Sequence, residues 1–447
     1  MKQHRQLAAA LACALAIGLG AGAVLATETV QPDTAPPLLI APNPTVSQPV
    51  TEPEQADTQT PAVEEAPAEE IVVEEEIIIP PDAEGTVSFA NLESRMRSGY
   101  YSLLSLEETL NSLRVIDYEK MTDDLRDGIN AIVDAQWYMT IMGNSVAAQS
   151  LQSSYESLHK TFDDLHSGKF QEDQANLMRQ LENAQDQIVM AGESLYIALV
   201  ELDRTDATLG RSLATLERTL AELDVRFEMG QISALTLSEA KAGRTSLISG
   251  RETLNMNRTS LRYQLQSMLG TQLDGKLILA GLPALAQSDL DKMDLDADLE
   301  KAKAASYDLL AANATLEDAR EAYEDACNEY NSSLYKYEFV SAQHTWNAAQ
   351  HTYDAAVQNY ELSFRSLFAQ VKDYAQVLSA AQTTLAVKKD NLSAAQIKFE
   401  QGTISQFDLL DAEDAVAEAQ DTVASAEIDL FTAYNNYCWA VERGILN

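Results

Sequence analysis

Proline and glycine are almost absent from residues 283–447 of this 447-residue chain. After Leu282, Pro283 is the only proline, and Gly402 and Gly444 are the only glycines. Sheets need frequent turns, and turns depend on these two residue types, so their scarcity excludes a strand-rich fold for this region. Residues that favour helix, chiefly Ala, Leu, Glu and Gln, take their place. The composition therefore predicts an all-α fold.

Cysteines are rare, and recognisable catalytic motifs are missing. Cys13 lies in an N-terminal apolar run, and neither Cys327 nor Cys438 has the neighbours of a metal site. We expect the latter two to be buried thiols and not a disulfide. The chain contains no His-Glu-x-x-His or Gly-x-Ser-x-Gly motif, and Gly168-Lys169 lacks the rest of a phosphate-binding loop. We therefore predict no catalytic residue, no metal and no cofactor, and a protein that is not an enzyme.

Basic residues are also few. The chain has 31 Lys and Arg against 69 Asp and Glu, a formal net charge of -38. Such a charge repels nucleic acids and anionic lipid surfaces, so both are excluded as partners. Residues 27–85 contain no Lys or Arg and are rich in Pro and Glu. Residues 27–86 are therefore predicted to be a disordered, extended acidic linker.

The N-terminus carries a targeting signal. Lys2 and Arg5 precede an apolar run over residues 7–25, and small residues follow near Ala26. This pattern is typical of a signal peptide over residues 1–26, with an uncleaved N-terminal anchor as the alternative. In either case we expect an exported protein of the cell envelope, which contacts a membrane only through this segment if it stays uncleaved.

The chain does contain a duplicated segment. Residues 226–240 read RFEMGQISALTLSEA, and residues 398–412, 172 positions later, read KFEQGTISQFDLLDA. In each copy a helical run ends at a glycine, Gly230 or Gly402, which supplies the left-handed cap of a helix C-terminus. Each copy therefore predicts the tip of a helical hairpin.

A serine follows each glycine by three positions and starts the returning helix. Ser233 and Ser405 have the side chain that an N-cap requires. Asp408 lies three residues after Ser405 and predicts a capping box there, whereas Thr236 occupies the matching position after Ser233.

Heptad repeats flank both tips, with the spacing of an antiparallel coiled coil. They comprise Leu209, Leu213, Leu216, Leu220, Leu223 and Phe227 before the first tip, and Ala381, Leu385, Lys388, Leu392, Ala395 and Phe399 before the second. Three tryptophans, Trp137, Trp346 and Trp439, are interpreted as core or interhelical packing residues.

Residues 284–401 contain no proline or glycine, but the chain must still reverse direction within them. As a single helix, residues 284–401 would run to about 175 Å. Superposing the two copies predicts one reversal at residues 166–169 and the other near Val340, with Asn331-Ser332-Ser333 as a competing site. Each arm between a reversal and its tip is then about 58 residues long.

The two tips resemble the duplicated signature of the TolC-type outer membrane efflux proteins. Residues 91–104 and 298–311 also correspond, which pairs Leu92 with Leu299 and Tyr100 with Tyr307, as expected for the start of each family repeat. The resemblance covers about residues 87–447 and implies a first repeat over residues 87–282 and a second over residues 283–447.

The sequence departs from this family at the two reversals. Family members insert a pair of transmembrane β-strands there, but neither reversal here shows the alternating pattern of such strands. We therefore predict an all-α protein of long antiparallel coiled-coil helical hairpins in two tandem repeats. It resembles a TolC-like α-helical duct without a transmembrane β-barrel.

The resemblance implies a homotrimeric efflux or export duct. Its tips would dock onto an adaptor, or membrane-fusion, subunit of an ABC-type or proton-driven exporter. The partner-binding residues would be Gly230, Gln231, Ile232 and Ser233 of the first tip, and Gly402, Thr403, Ile404 and Ser405 of the second. The alternative is an elongated coiled-coil structural spacer of the cell envelope with no transport role, and a trimer with a central channel would distinguish the two.

Overall fold

Eleven helices and two very short strands form the part of the chain that the computed structural model describes, residues 82–83 and 85–446. The strands are β1 (Thr86–Val87) and β2 (Ile278–Leu279). The helices are α1 (Phe89–Gly99), α2 (Tyr101–Arg114), α3 (Tyr118–Ile141), α4 (Ser145–His166), α5 (Lys169–Glu228), α6 (Ala234–Met268), α7 (Gln287–Asp291), α8 (Leu295–Ala305), α9 (Tyr307–Tyr330), α10 (Tyr337–Glu400) and α11 (Gln406–Arg443). The signal peptide and nearly all of the linker predicted above lie outside the described residues.

Two long hairpins dominate the architecture, and the predicted all-α fold of tandem helical hairpins is confirmed. Helix α5 has 60 residues and packs along α6, while α10 has 64 residues and packs along α11. At 1.5 Å per residue these arms are about 90 and 96 Å long, close to the predicted length. The pairs α1–α2 and α8–α9 precede the long arms in the same order, which makes the duplication visible in the fold.

The first reversal lies where the sequence predicts it, and the second lies at the competing site. Helix α4 ends at His166, and Gly168, with φ 85°, turns the chain into α5. The prediction of a turn near Val340 is wrong, because Val340 lies in the first turn of α10. The chain turns at Asn331 and Ser332 instead, with φ values of 49° and 54°. Asparagine tolerates this left-handed conformation better than most residues.

The first repeat contains an additional helical hairpin, α3–α4, which the sequence interpretation did not identify. Residues 142–144 join its two helices, and α3 makes its extensive contacts with α4. Both helices begin at a capping side chain: Asp117 accepts a hydrogen bond from the Lys120 amide, and Asn144 accepts one from the Ala147 amide. The base of the hairpin meets the start of α5, where the Tyr118 and Phe170 rings lie 6.2 Å apart.

Each repeat has its own apolar core about halfway along its long arm. In the first repeat the core includes Leu92, Met96, Tyr196, Leu199 and Leu265, and in the second it includes Leu299, Phe364, Val371 and Tyr437. Leu92 and Leu299, which the sequence pairs, are both buried. Fully burying a side chain of this size contributes about 1.5–3 kcal/mol, so these clusters are the main apolar contribution to stability.

A buried tyrosine in each repeat ties the start of the repeat to the segment after its last helix. Its hydroxyl lies within hydrogen-bond distance of two backbone carbonyl oxygens, which would otherwise be costly to bury. The oxygens belong to Val87 (3.1 Å) and Gly281 (3.0 Å) for Tyr196, and to Ala302 (3.0 Å) and Gly444 (3.2 Å) for Tyr360.

Glycine is required where each last helix ends, because another backbone passes very close. Helix α6 ends beside the break between α1 and α2, and a Cβ built on Gly270 would lie 2.3 Å from the Gly99 carbonyl oxygen. Helix α11 ends beside the break between α8 and α9, and a Cβ on Gly444 would lie 2.3 Å from Ser306 Cα. Both glycines also have positive φ, 63° and 67°. The two junctions are thus built in the same way.

The two long hairpins are held together by different chemistry. Ion pairs cross the α5–α6 seam, and small apolar residues such as Ala381, Val423 and Ala426 fill the α10–α11 seam. The ion pairs are Lys241–Asp224 (3.0 Å), Arg244–Glu217 (2.7 Å), Arg251–Asp206 (2.7 Å), Arg258–Asp203 (3.1 Å) and Arg262–Asp203 (2.9 Å). The first hairpin therefore depends more on charge and the second more on close apolar packing.

We predict that Gly444→Ala destabilises the protein far more than Gly402→Ala. Both positions need a left-handed conformation, which costs a non-glycine residue about 1–2 kcal/mol. Only Gly444 also faces a backbone, and forcing an atom into that space adds about 1–3 kcal/mol, whereas the Cβ position of Gly402 is open. Urea denaturation of both variants measures the difference. Equal losses of unfolding free energy would contradict the junction described above.

We also predict a pH-dependent effect of Asp206→Asn. The hydrogen bond from Arg251, followed by the charges of Arg251 and Arg258, lowers the pKa of Asp206 below its ordinary value of 3.8. A lowered pKa stabilises the folded state above pH 3.8, and this contribution disappears as the pH falls through the folded-state value. At pH 7 the variant should lose about 1 kcal/mol of unfolding free energy.

Urea denaturation of wild type and variant between pH 7 and pH 3 checks this. Asp224→Asn, which removes the partner of Lys241 at a half-exposed position, is the matched control and should cost less. A difference between wild type and Asp206→Asn that stays constant down to pH 3 would refute the assignment.

Candidate functional site: the two hairpin tips

The first hairpin tip begins where α5 ends. Gly230 has φ 72°, and its amide donates to the Phe227 carbonyl oxygen at 2.9 Å. The Gln231 amide donates to the Arg226 carbonyl oxygen at 2.8 Å, which completes a Schellman-type cap. These bonds satisfy carbonyl groups that the end of a helix otherwise leaves without a partner.

The second tip repeats this geometry closely. Gly402 has φ 71°, its amide donates to the Phe399 carbonyl oxygen at 2.9 Å, and the Thr403 amide donates to the Lys398 carbonyl oxygen at 2.9 Å. The glycine caps predicted from the duplicated sequence are therefore present in both copies.

Each returning helix begins at the predicted serine. The Ser233 hydroxyl accepts from the Thr236 amide at 3.1 Å, and the Ser405 hydroxyl accepts from the Asp408 amide at 3.2 Å. Asp408 accepts in turn from the Ser405 amide at 2.9 Å, so the predicted capping box is present in the second tip. The Ser405 amide and hydroxyl lower the pKa of Asp408, which keeps this carboxylate ionised.

The tips leave their glycines open to the surroundings. A Cβ placed on Gly230 or Gly402 would have no neighbour within 4 Å. Of the eight predicted partner-binding residues, Ile232 and Ile404 are half-buried and the other six are exposed. Residues 229–238 and 401–407 contain no charged side chain. The intrachain structure therefore does not use the outer surface of either tip.

Three exposed apolar side chains surround each glycine in matching positions, and sequence reasoning identified only part of this set. Phe227 and Phe399, which the sequence assigns to the heptad seams, lie at the tip ends of those seams and are 40% and 39% exposed. The matched pairs, each 172 residues apart, are Val225 with Ile397, Phe227 with Phe399, and Leu235 with Phe407. The constant offset of 172 residues is the sequence signal that identifies these matched apolar positions, as it identifies the matched cap residues.

Both tips point the same way because α5 and α11 are joined in register. Thr208 and Arg211 of α5 bind Asp421 of α11, and one heptad later Thr215 and Arg218 bind Asp414. Arg218 lies twelve residues before Gly230 (230 − 218), and Asp414 lies twelve residues after Gly402 (414 − 402). Equal spacing along two helices places the two glycines at the same level.

The other residues singled out from the sequence have structural surroundings. Trp439 is buried and donates to Glu193 at 2.7 Å, and Trp346 stacks on Tyr323 with ring centroids 5.0 Å apart. Trp137 is 69% exposed, so the interpretation of Trp137 as a packing residue is wrong. It lies about one turn before the end of α3, and among the described helices only α4 packs extensively on α3.

The two cysteines outside the N-terminal run are free, as expected, and both are half-buried. Burial raises the pKa of Cys438 to about 11, which keeps this thiol protonated and unreactive. Across residues 82–83 and 85–446, no cluster of three or more His, Cys, Asp or Glu side chains has the arrangement of a metal site. In the same residues, no helix combines the length and the apolar character needed to cross a membrane.

Comparison with known proteins gives one family match and several similar structures. Residues 331–436 match the family model described as outer membrane efflux protein. No curated protein matches the sequence at a significant level. The outer membrane protein VceC from Vibrio cholerae is similar with a TM-score of 0.50 and 12% identity, over 79% of this chain and 96% of VceC.

Two further solved structures resemble the chain more weakly. A membrane protein from Pseudomonas aeruginosa has a TM-score of 0.48 and 12% identity, over 79% of this chain and 92% of its own. The outer-membrane channel OprN has a TM-score of 0.48 and 14% identity, over 79% of this chain and 89% of its own. The predicted resemblance to the TolC-type outer membrane efflux proteins is confirmed. The family match includes α10 and the second tip, and the fold is shared with VceC.

Proposed function

We propose that this chain, which has the fold of the outer membrane efflux proteins, is the duct component of an exporter and docks through its two hairpin tips onto an adaptor subunit. The observation that carries the proposal is the matched set of exposed apolar side chains around Gly230 and Gly402. Exposing a repeated set of apolar side chains to water costs free energy. Such a set at one level of the molecule is therefore typical of a surface that a partner covers.

The tips suit the ends of a partner's helical hairpins. Each glycine leaves its backbone uncovered, so another helix can approach closely. Phe227 and Phe399 offer aromatic anchors of the kind that dominate protein interfaces. Gln231 and Thr403 supply exposed polar groups beside the glycines, and Ser233 and Ser405 are occupied by capping and shape the turn.

The assembly we propose is a homotrimer in the cell envelope. Each chain contributes two hairpins, so three copies would present six tips in a ring, with the same cap and the same apolar groups at every position. Closed cyclic symmetry of this kind lets one surface patch be used repeatedly. The family match and the VceC-like fold support this arrangement.

We predict that Gly402→Trp and Phe399→Ser each weaken adaptor binding by at least about tenfold. The first variant fills the open space above the tip, and the second removes an aromatic anchor, each worth roughly 1.4 kcal/mol or more at an interface. Binding of the purified chain to the adaptor of its host's exporter, measured by biolayer interferometry, gives the affinities. Leu362→Ser, at a 70% exposed position on the shaft of α10, is the matched control and should bind like wild type.

Light scattering and electron microscopy test the duct independently of adaptor binding. A trimer with a central channel supports the proposed duct. A monomeric or dimeric rod would reject it in favour of the structural spacer. Normal adaptor affinity of both tip variants, with unchanged helix content by circular dichroism, would reject docking through the tips.

A further inference from the structure

The end of the α3–α4 hairpin is unusually free of charge. Asp134 and Glu156 are its nearest charged residues, and residues 135–155 between them carry none. At the chain's average of 22% charged residues, these 21 positions would hold between four and five (0.22 × 21). The base of the same hairpin is charged on both helices, from Glu119 to Asp127 and from Glu156 to Asp164.

Large apolar side chains are exposed at this uncharged end. The exposed groups are Val133, Trp137, Tyr138, Ile141, Met142 and Val146. Their positions are not those of a seam for another helix, which would continue as an apolar stripe down to the base. The outward residues of α3 nearer the base are instead Asp123, Arg126 and Asp127. The apolar surface is therefore confined to the end of the hairpin and does not extend along one face of its helices.

Three backbone amides of the turn are already paired without water. The amides of Met142, Gly143 and Asn144 donate to the carbonyl oxygens of Tyr138, Thr140 and Met139 at 3.0, 3.1 and 3.0 Å. The Asn144 side chain accepts from the Ala147 amide at 3.2 Å. Pairing of this kind lowers the cost of moving a turn into a medium of low dielectric constant.

We propose that the end of the α3–α4 hairpin inserts into the interfacial region of an electrically neutral lipid bilayer. From Ala135 to Gly143 the helix rises about 12 Å, less than half of a hydrocarbon core of about 30 Å, so the hairpin enters one leaflet and does not cross. Ile141, Met142 and Val146 would lie deepest, and Trp137 and Tyr138 would lie about 5–7 Å nearer the water, at the level where tryptophan and tyrosine are favoured.

The net charge of the protein favours a neutral lipid surface over an anionic one. A protein with a net charge of -38 is repelled by an anionic bilayer, whereas a neutral bilayer accepts an uncharged apolar end. This inference is independent of the proposed docking of the tips, and it replaces the expectation that only the N-terminal segment contacts a membrane. A protein partner and a second copy of the chain are the competing occupants.

The fluorescence of Trp137 can report whether the hairpin enters lipid. The chain has three tryptophans, and Trp137 alone lies on the hairpin, so the difference between wild type and Trp137→Phe isolates its emission. With full-length protein and phosphatidylcholine vesicles, we predict a blue shift of the Trp137 emission and its quenching by brominated acyl chains. Phosphatidylglycerol vesicles should give a weaker effect at low salt, because the acidic chain is repelled.

The key variant removes the deepest apolar groups and keeps the reporter. Ile141→Ser with Met142→Ser and Val146→Ser should reduce the apparent vesicle affinity of the hairpin, read from Trp137, by at least about tenfold. A matched triple variant of exposed apolar residues on the shafts, Met256→Ser, Leu362→Ser and Val387→Ser, should behave like wild type. Because the readout is local, binding of vesicles by the N-terminal segment does not produce the signal.

Three results would overturn the inference. Trp137 emission that stays unchanged with either kind of vesicle would show that the hairpin does not enter lipid. An equal response of both triple variants would show that the apolar end is not the cause. A blue shift without lipid that grows with protein concentration would identify a second copy as the occupant. None of these results bears on adaptor binding by the tips.

Discussion

The register between α5 and α11 is the constraint on which the candidate docking surface depends. Two Thr-x-x-Arg units, one heptad apart on α5, each hold one aspartate of α11. These contacts lie at the same distance from both tip glycines, so they set the two tips at one level. A slip of one heptad would displace one tip by about 10 Å and separate the two groups of apolar side chains. These polar contacts add to the apolar cluster of Ile197 with Ile428 and Phe431, which also joins α5 to α11.

Local rules account for the parts of the fold that the sequence predicts. Each tip consists of a glycine with positive φ and, three positions later, an N-cap serine. The hydrogen bonds of such a tip span no more than a few residues, so the local sequence is enough to predict it. The heptads then determine that the flanking helices pair. The second reversal was harder to place because Asn331 and Ser332 take the left-handed conformation without a glycine or proline to mark it.

The α3–α4 hairpin could not be predicted from such local rules. Its two helices have ordinary capping signals, but whether they continue the coiled coil or form a separate hairpin depends on contacts between distant residues. One indication was present: corresponding residues are 207 positions apart at the start of the repeats and 172 apart at the tips. The first repeat must therefore contain about 35 additional residues between these points. The exposure of Trp137 follows from the same insertion, because among the described helices only α4 packs extensively on α3, and the remaining faces of α3 stay exposed.

The distribution of charge gives the two ends of α5 different roles from its shaft. The seam of the first hairpin uses many acidic and basic groups, and acidic side chains are in excess overall. An acidic shaft repels an anionic surface along its length. Uncharged apolar groups occur at the tip that follows Glu228 and at the far end of the α3–α4 hairpin, whose base meets the start of α5 about 90 Å from that tip. Under the two proposals above, the contacts with an adaptor and with lipid are concentrated at these ends, and the charged shaft disfavours an adaptor or a bilayer along its length.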